Sequence, residues 1–400
     1  MSNPYRELFA APGARAFALA GLLARLALPM TGIGIITMLA LLRGSYALAG
    51  AVSATFVLTY ALLSPQISRQ VDRHGQGRVL PAAAAISAIG MLVLCASAWW
   101  QAADWTLFVG ALLAGAMPSL SAMVRARWTA IYRGQPRLQT AYALETVLDE
   151  VTFIAGPPLS VGLCVALAPA AGPLAAALAL LLGVAALVLQ RATEPPVEAP
   201  AAGRACASVM RLADVRLLAL LMLAMGVIVG TVDIVSVAFA AQAGRPAAAS
   251  GVLAAYAAGS ALAGLLFGAG ALQTPGHRLL LLGGLATAAT TLPLLWVDSI
   301  AALAGAVLLA GLFFAPTMIV AMSLVERLVP AQQLTEGITW LLSGLNVGIA
   351  LGAAASGRMV DGAGAAAGFR VALCAGTAVL LLALWAHGRL HRQGLAKAQA

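Results

Sequence analysis

Few residues in this chain can carry chemistry, and most of those that can sit in apolar surroundings. Arg25 lies about 15 Å, at helical rise, from the start of a long apolar stretch. Glu145 and Asp149 are four apart in another stretch, so they share one helix face, about 10 and 16 Å from Leu138. Glu150 follows and points roughly 100° round the same helix. A charge in hydrocarbon costs several kcal/mol unless it is paired or wet. Two readings are open. In one, Arg25 pairs with Asp149 or Glu145, and the remaining carboxyls, crowding one another, are protonatable as a group and suit proton traffic. In the other, the pair is a structural salt bridge. Under either, Arg25→Met is expected to harm folding and neutralising Asp149 to restore it in part.

Asp233, in a later stretch, either faces a cavity and attracts a cationic substrate or caps a helix end. Asn346 is a lone amide deep in its stretch, placed to bond substrate, and Tyr60, Tyr142, Tyr256 and Trp340 are candidates to line the same cavity. Trp99, Trp100, Trp105 and Trp296 fit an interfacial aromatic belt. Glu326 and Glu336 read as structural helix-end charges. Enzyme chemistry finds no support: there is no nucleophile–base constellation, metal cluster or phosphate-binding loop. Cys95, Cys164, Cys206 and Cys374 are scattered with no C-x-x-C pair, and none of the four histidines is placed mid-stretch. No metal and no cofactor are expected.

The elements that must position these residues follow from composition. Of 400 residues 62% are hydrophobic and only 9% charged, against about 25% charged in a soluble domain. Apolar runs of roughly 18 to 25 residues make this an all-α polytopic membrane protein, and exclude a β-barrel, whose strands are about ten residues long and alternate. Twelve spans are predicted near 16–42, 46–68, 79–98, 104–126, 138–167, 170–190, 215–241, 247–271, 277–297, 299–325, 331–357 and 368–388. Residues 1–190 then form one six-helix bundle, 191–214 a proline-bearing cytoplasmic linker and 215–400 a second bundle.

With the N-terminus in the cytoplasm, eighteen of the 23 basic residues fall on the cytoplasmic side, Arg125 and Arg127 among them, and four outside. Both termini are therefore expected to be cytoplasmic, with no signal peptide. Lys397 is the only lysine, and the Arg and Ala bias suggests a bacterial plasma membrane. Nucleic acid is not an expected partner, since the positive charge is a topology signal. Protons, lipid and a small-molecule substrate are, for a monomeric chain.

The halves echo each other at an offset near 200. Ala116-Met117-Pro118 with Ala122-Met123 and Arg127 parallels Ala315-Pro316 with Ala321-Met322 and Arg327. Such an echo predicts parallel repeats about an axis along the membrane normal. The glycines within spans, as at Gly344, Gly348 and Gly352, predict close helix approach, as packing between moving helices or as ordinary membrane-helix packing.

The loop Ser68-Arg69-Gln70-Val71-Asp72-Arg73-His74-Gly75-Gln76-Gly77-Arg78 resembles the signature between helices two and three of the major facilitator superfamily, with Asp72, Arg73, Gly75 and Arg78 in place. Ser68 replaces the leading glycine and Gly77 one basic residue. The resemblance implies twelve helices in two pseudo-symmetric bundles, and a loop that latches helix ends during state switching, so Asp72→Asn is expected to slow exchange and leave affinity nearly unchanged. Gly156-Pro157-Pro158-Leu159-Ser160-Val161-Gly162 resembles that family's antiporter motif, with Ser160-Val161 where a glycine pair is usual, and points to proton-coupled export. Thr335 to Trp340 is similar to a stretch of bacterial exporters. Leu107 to Gly115 lacks the arginine that exporters carry in the fourth span, so any proton relay must be built differently.

The resulting expectation is a secondary active transporter, a proton-coupled exporter of small amphipathic or cationic molecules. An apolar cavity with a few acids suits such cargo better than sugar phosphates, which would call for paired cavity arginines. The alternatives are a proton-coupled importer or a uniporter of a small metabolite, or a non-transporting scaffold or sensor on the same fold.

Overall fold

The computed structural model describes residues 4–44, 46–197, 208–245, 248–269 and 274–398. Among these residues all regular structure is helical. An apolar chain in lipid has no water to satisfy its backbone, and the helix bonds every amide within its own segment. Eleven helices are long and apolar enough to cross a membrane. We label the helices α1 (Ala14–Arg43), α2 (Tyr46–His74), α3 (Gln76–Trp99), α4 (Asp104–Ala114), α5 (Leu120–Tyr132), α6 (Arg137–Ala166), α7 (Ala171–Leu189), α8 (Ala213–Gln242), α9 (Ala248–Ala269), α10 (Gly276–Ala289), α11 (Ile300–Leu328), α12 (Leu334–Ala363) and α13 (Ala365–Ala398).

The fourth span departs from expectation. It is not one helix over 104–126 but two, α4 and α5, separated at Gly115–Ser119 and running on to Tyr132. Pro118 has no amide to donate and disfavours helical geometry at Met117 before it, so the chain stops and restarts. The second-half counterpart, Pro316, stays inside the continuous α11. The ninth span ends as a helix at Ala289 and is completed by the short 3-10 turn Pro293–Trp296. In the linker, residues 198–207, including Cys206 and Gly203, lie outside the described residues, as does Ala400.

By its contacts the chain divides into two compact units. The first comprises Met1–Leu138, Leu148–Ser208 and Ala331–Thr339; the second comprises Gln139–Val147, Val209–Pro330 and Trp340–Ala400. Helices α6 and α12 thus contribute to both. In the first unit α1 packs on α7 and α2, and α3 on α4 and α7. In the second, α9 packs on α11, and α13 on α8 and α10. There α8 and α12 touch backbone to backbone: a Cβ on Gly226 would strike the Leu345 carbonyl, and one on Gly348 the Leu223 carbonyl. Among apolar helices in lipid, where burial adds no drive, such close contact is what holds them together.

Candidate functional site

The fourth-span break sets up the most charged interior site. Arg125, at the end of the predicted span, and Arg127, just past it, both lie on α5 and are fully buried, not loop residues as their basic character suggested. Asp149, one turn along α6 from Glu145, accepts from Arg25 Nη1 at 3.0 Å and lies 2.9 Å from Arg125 Nη2. The Ser121 hydroxyl donates to the same carboxylate at 2.6 Å. One carboxylate therefore ties α1, α5 and α6 together. Side-chain exposure is 3% for Arg25, 0% for Arg125 and 14% for Asp149, so the ion pairs are barely screened. A cleft of about 20 Å³ beside them, room for a single water, is lined by Arg25, Tyr60, Ser121 and Asp149.

Arg125 overturns one expectation. With a second guanidinium on Asp149, neutralising that acid cannot repair the loss of Arg25, because it strips Arg125 of the same partner. Arg125 lies ten residues beyond Gly115, outside the Leu107–Gly115 stretch, which carries no arginine. The readable signal was Pro118, which moves the helix restart and pulls both arginines inside.

Arg127 builds a separate hub. It donates to Gln76 Oε1 at 2.8 Å, Gln190 O at 2.8 Å, Thr193 Oγ1 at 2.7 Å and Leu187 O at 3.0 Å. The Leu187 and Gln190 carbonyls belong to the end of α7, where the helix leaves acceptors unpaired and a cation is favoured. Glu194, just beyond, accepts from the Gly77 amide at 2.7 Å at the start of α3. The first residues of the linker are therefore docked on the unit, a feature its proline content concealed.

The α2–α3 loop reaches the start of α12. Asp72 accepts from the amides of Thr335 at 3.2 Å and Glu336 at 2.8 Å, in the first turn of α12. A carboxylate there satisfies orphan amides and sits at the positive end of the helix dipole. Ser68, standing where the motif has glycine, shares a 2.7 Å hydrogen bond with Thr339. Glu336 is buried, 3.9 Å from Arg69 and bonded by Ser208. Gly75 has φ +88°, a conformation that favours glycine, and turns the chain from α2 into α3. Arg73 and Arg78 are exposed. A cavity of about 190 Å³ adjoins this contact, lined by Asp72, Gln76, Thr129, Arg133, Pro196 and Thr335.

In the antiporter-like stretch α6 continues through Pro157 and Pro158. A Cβ on Gly156 would come within 2.8 Å of Pro29, so this turn packs against α1. Ser160 donates to the Met30 carbonyl at 2.8 Å, a bond glycine lacks.

The remaining candidates are not among the residues that line the cleft beside Asp149. Glu145 is fully buried and falls in Gln139–Val147, the stretch of α6 that belongs to the second unit, as does Tyr142. Glu150 is half-buried on another face. Asp233 on α8 and Asn346 on α12 are half-buried. Asn346 is two residues from both Gly344 and Gly348, about 200° round the helix, and so is turned away from α8. Tyr256 is buried and tilts against Phe314 at 6.1 Å, and Trp340 is half-buried. Trp99, Trp100, Trp105 and Trp296 are all exposed.

Solved structures share this fold. The human organic anion transporter MFSD10 (TETRAN) superposes with a TM-score of 0.70 at 17% identity, covering 93% of this chain and 98% of its own. A bacterial homologue of the iron transporter ferroportin, in an outward-facing state, gives 0.72 at 15% identity, over 94% and 100%. The E. coli fucose:proton symporter FucP gives 0.67 at 14%, over 92% and 98%. No curated protein matches the sequence. The sequence profile described as Major Facilitator Superfamily matches residues 17–270, over half of the chain, and the chain belongs to that superfamily of transporters.

Proposed function

We propose that the protein is a secondary active transporter that uses alternating access to export small amphipathic or cationic molecules in exchange for protons. The observation that supports coupling is Asp149: one carboxylate holds two buried guanidiniums on two other helices. Loading a proton there and releasing α1 and α5 from α6 are one event, which turns a charge change into a packing change. Glu145 and Glu150 supply further carboxyls on α6, and Asp233 is the candidate contact for a cationic cargo. The Gly156-Pro157 resemblance favours antiport. We place the protein, as a monomer, in a bacterial plasma membrane with both termini cytoplasmic.

The test is flux in proteoliposomes with a fluorescent lipophilic cation and an imposed pH gradient. Accumulation should follow the gradient and stop when a protonophore collapses it, while cation-for-cation exchange persists. Flux indifferent to the gradient removes proton coupling. A second reading has its own observation: two arginines on one acid leave a net positive group, the pairing expected for anionic cargo. Gradient-driven movement of an organic anion, with no cation flux, would replace the first reading by the second. Silence with both probes leaves the scaffold.

A further inference from the structure

The protein has four histidines, and three of them meet at one end of the second unit. His277 is the second residue of α10; His387 and His391 lie one turn apart towards the end of α13. Ring centroids are 5.1 Å apart for His277 and His387, 5.5 Å for His277 and His391, and 6.0 Å for His387 and His391. Around a tetrahedral ion with Zn–N bonds of about 2.0–2.1 Å, imidazole centroids sit about 5 Å apart. The backbone therefore already holds the rings near ligating distance.

Two further observations point to a ligand. His387 Nδ1 lies 3.2 Å from the His277 carbonyl. As a donor there, it fixes the neutral tautomer with the Nε2 lone pair available, the same outer bond that orients imidazoles on metals. His277 Nε2 is buried without a hydrogen-bond partner, a cost the protein alone does not offset. Nor does electrostatics explain the convergence. Arg278 adds positive charge beside His277. The Asp214 carboxylate at this end is paired with Arg389. A divalent ion accepting three lone pairs gives the three rings a reason to gather.

We propose that His277, His387 and His391 form a binding site for a borderline divalent transition-metal cation, with Zn²⁺ as the reference case. In the present arrangement no group of three or more His, Cys, Asp or Glu side chains among the described residues is placed to hold a metal ion, and the His387 and His391 rings lie parallel at 6°. Binding turns these rings inward. His391 is exposed and turns without breaking packing. A water completes the fourth position.

The test uses the full chain, purified without a histidine tag and titrated with Co²⁺ and then Zn²⁺. The expected result is one equivalent of Co²⁺ with tetrahedral d–d absorption, displaced by Zn²⁺. His277→Ala and His391→Ala should each weaken Zn²⁺ binding at least about tenfold, the loss typical of even an outer-shell partner. His74→Ala, which removes the remaining histidine, should change nothing. Thermal unfolding without metal checks that the variants fold, and exposed His391 is the safe one. Absence of stoichiometric binding overturns the proposal. So does wild-type affinity in His277→Ala with loss only in His391→Ala, which would mark a two-histidine chelate on one helix.

Discussion

Removing the charge of Asp149 should harm the protein more than removing either arginine, and the order of the double variant is the sharp test. Asp149 lies 3.0 Å from Arg25 and 2.9 Å from Arg125. At about 4 Å between charge centres and an effective dielectric of about 20, each pair is worth about 4 kcal/mol before desolvation. Asp149→Asn loses both and leaves two guanidiniums facing each other without their carboxylate, a net cost of about 3–5 kcal/mol. Arg25→Met loses one pair but recovers the desolvation of Arg25 and leaves Asp149 on Arg125 and Ser121, a net cost of about 1–2 kcal/mol. In Arg25→Met/Asp149→Asn, Arg125 alone is stripped, so the loss falls between the two. The predicted stability order is wild type, Arg25→Met, the double variant, then Asp149→Asn. Thermal unfolding in detergent, followed by the monodisperse fraction on size-exclusion chromatography, reads it. A double variant more stable than Arg25→Met would refute the reasoning, because it would mean that Arg125 does not share the acid.

Three other outcomes are expected. Asp72→Asn keeps an acceptor at the start of α12 but loses its charge, about 0.3–2 kcal/mol of interaction with the helix terminus; the Thr335 and Glu336 amides should exchange hydrogen faster and turnover should fall, with substrate affinity within a few-fold, and unchanged protection would contradict the latch. Arg127→Leu should cost at least about 3 kcal/mol, at about 1.5–3 kcal/mol for each hydrogen bond to a charged group, whereas exposed Arg15→Ala should stay within about 0.5 kcal/mol; equal melting temperatures would dismiss the hub. A reporter active only in the cytoplasm should work when fused after Gly203 or Ala400 and fail near Ala171; an outward C-terminus would break the twelve-span topology.

The sequence alone determined what a solvent preference can determine. Long apolar runs read as crossings because lipid leaves the backbone no other partner, and a latch role for the Asp72 loop is what its resemblance to the superfamily signature implies. Arg25 was legible as the partner of Asp149 or Glu145 because an unpaired charge at their depth is untenable, and the fold selects Asp149. The third member was not legible. Arg125 looked like a loop charge, since its burial depends on where α5 restarts after Pro118, and on α1 and α6 closing around it from positions far away in the chain. Arg127 was hidden for the same reason: three of its four partners are carbonyls and a threonine hydroxyl at the end of α7, groups with no signature in sequence. Three histidines scattered over more than a hundred residues gave no sign of meeting, because only the packing of α10 on α13 brings them to one end. Composition and spacing fix what each segment must do against lipid. Which buried polar groups find one another is decided by helix packing, and that exists only in the folded chain.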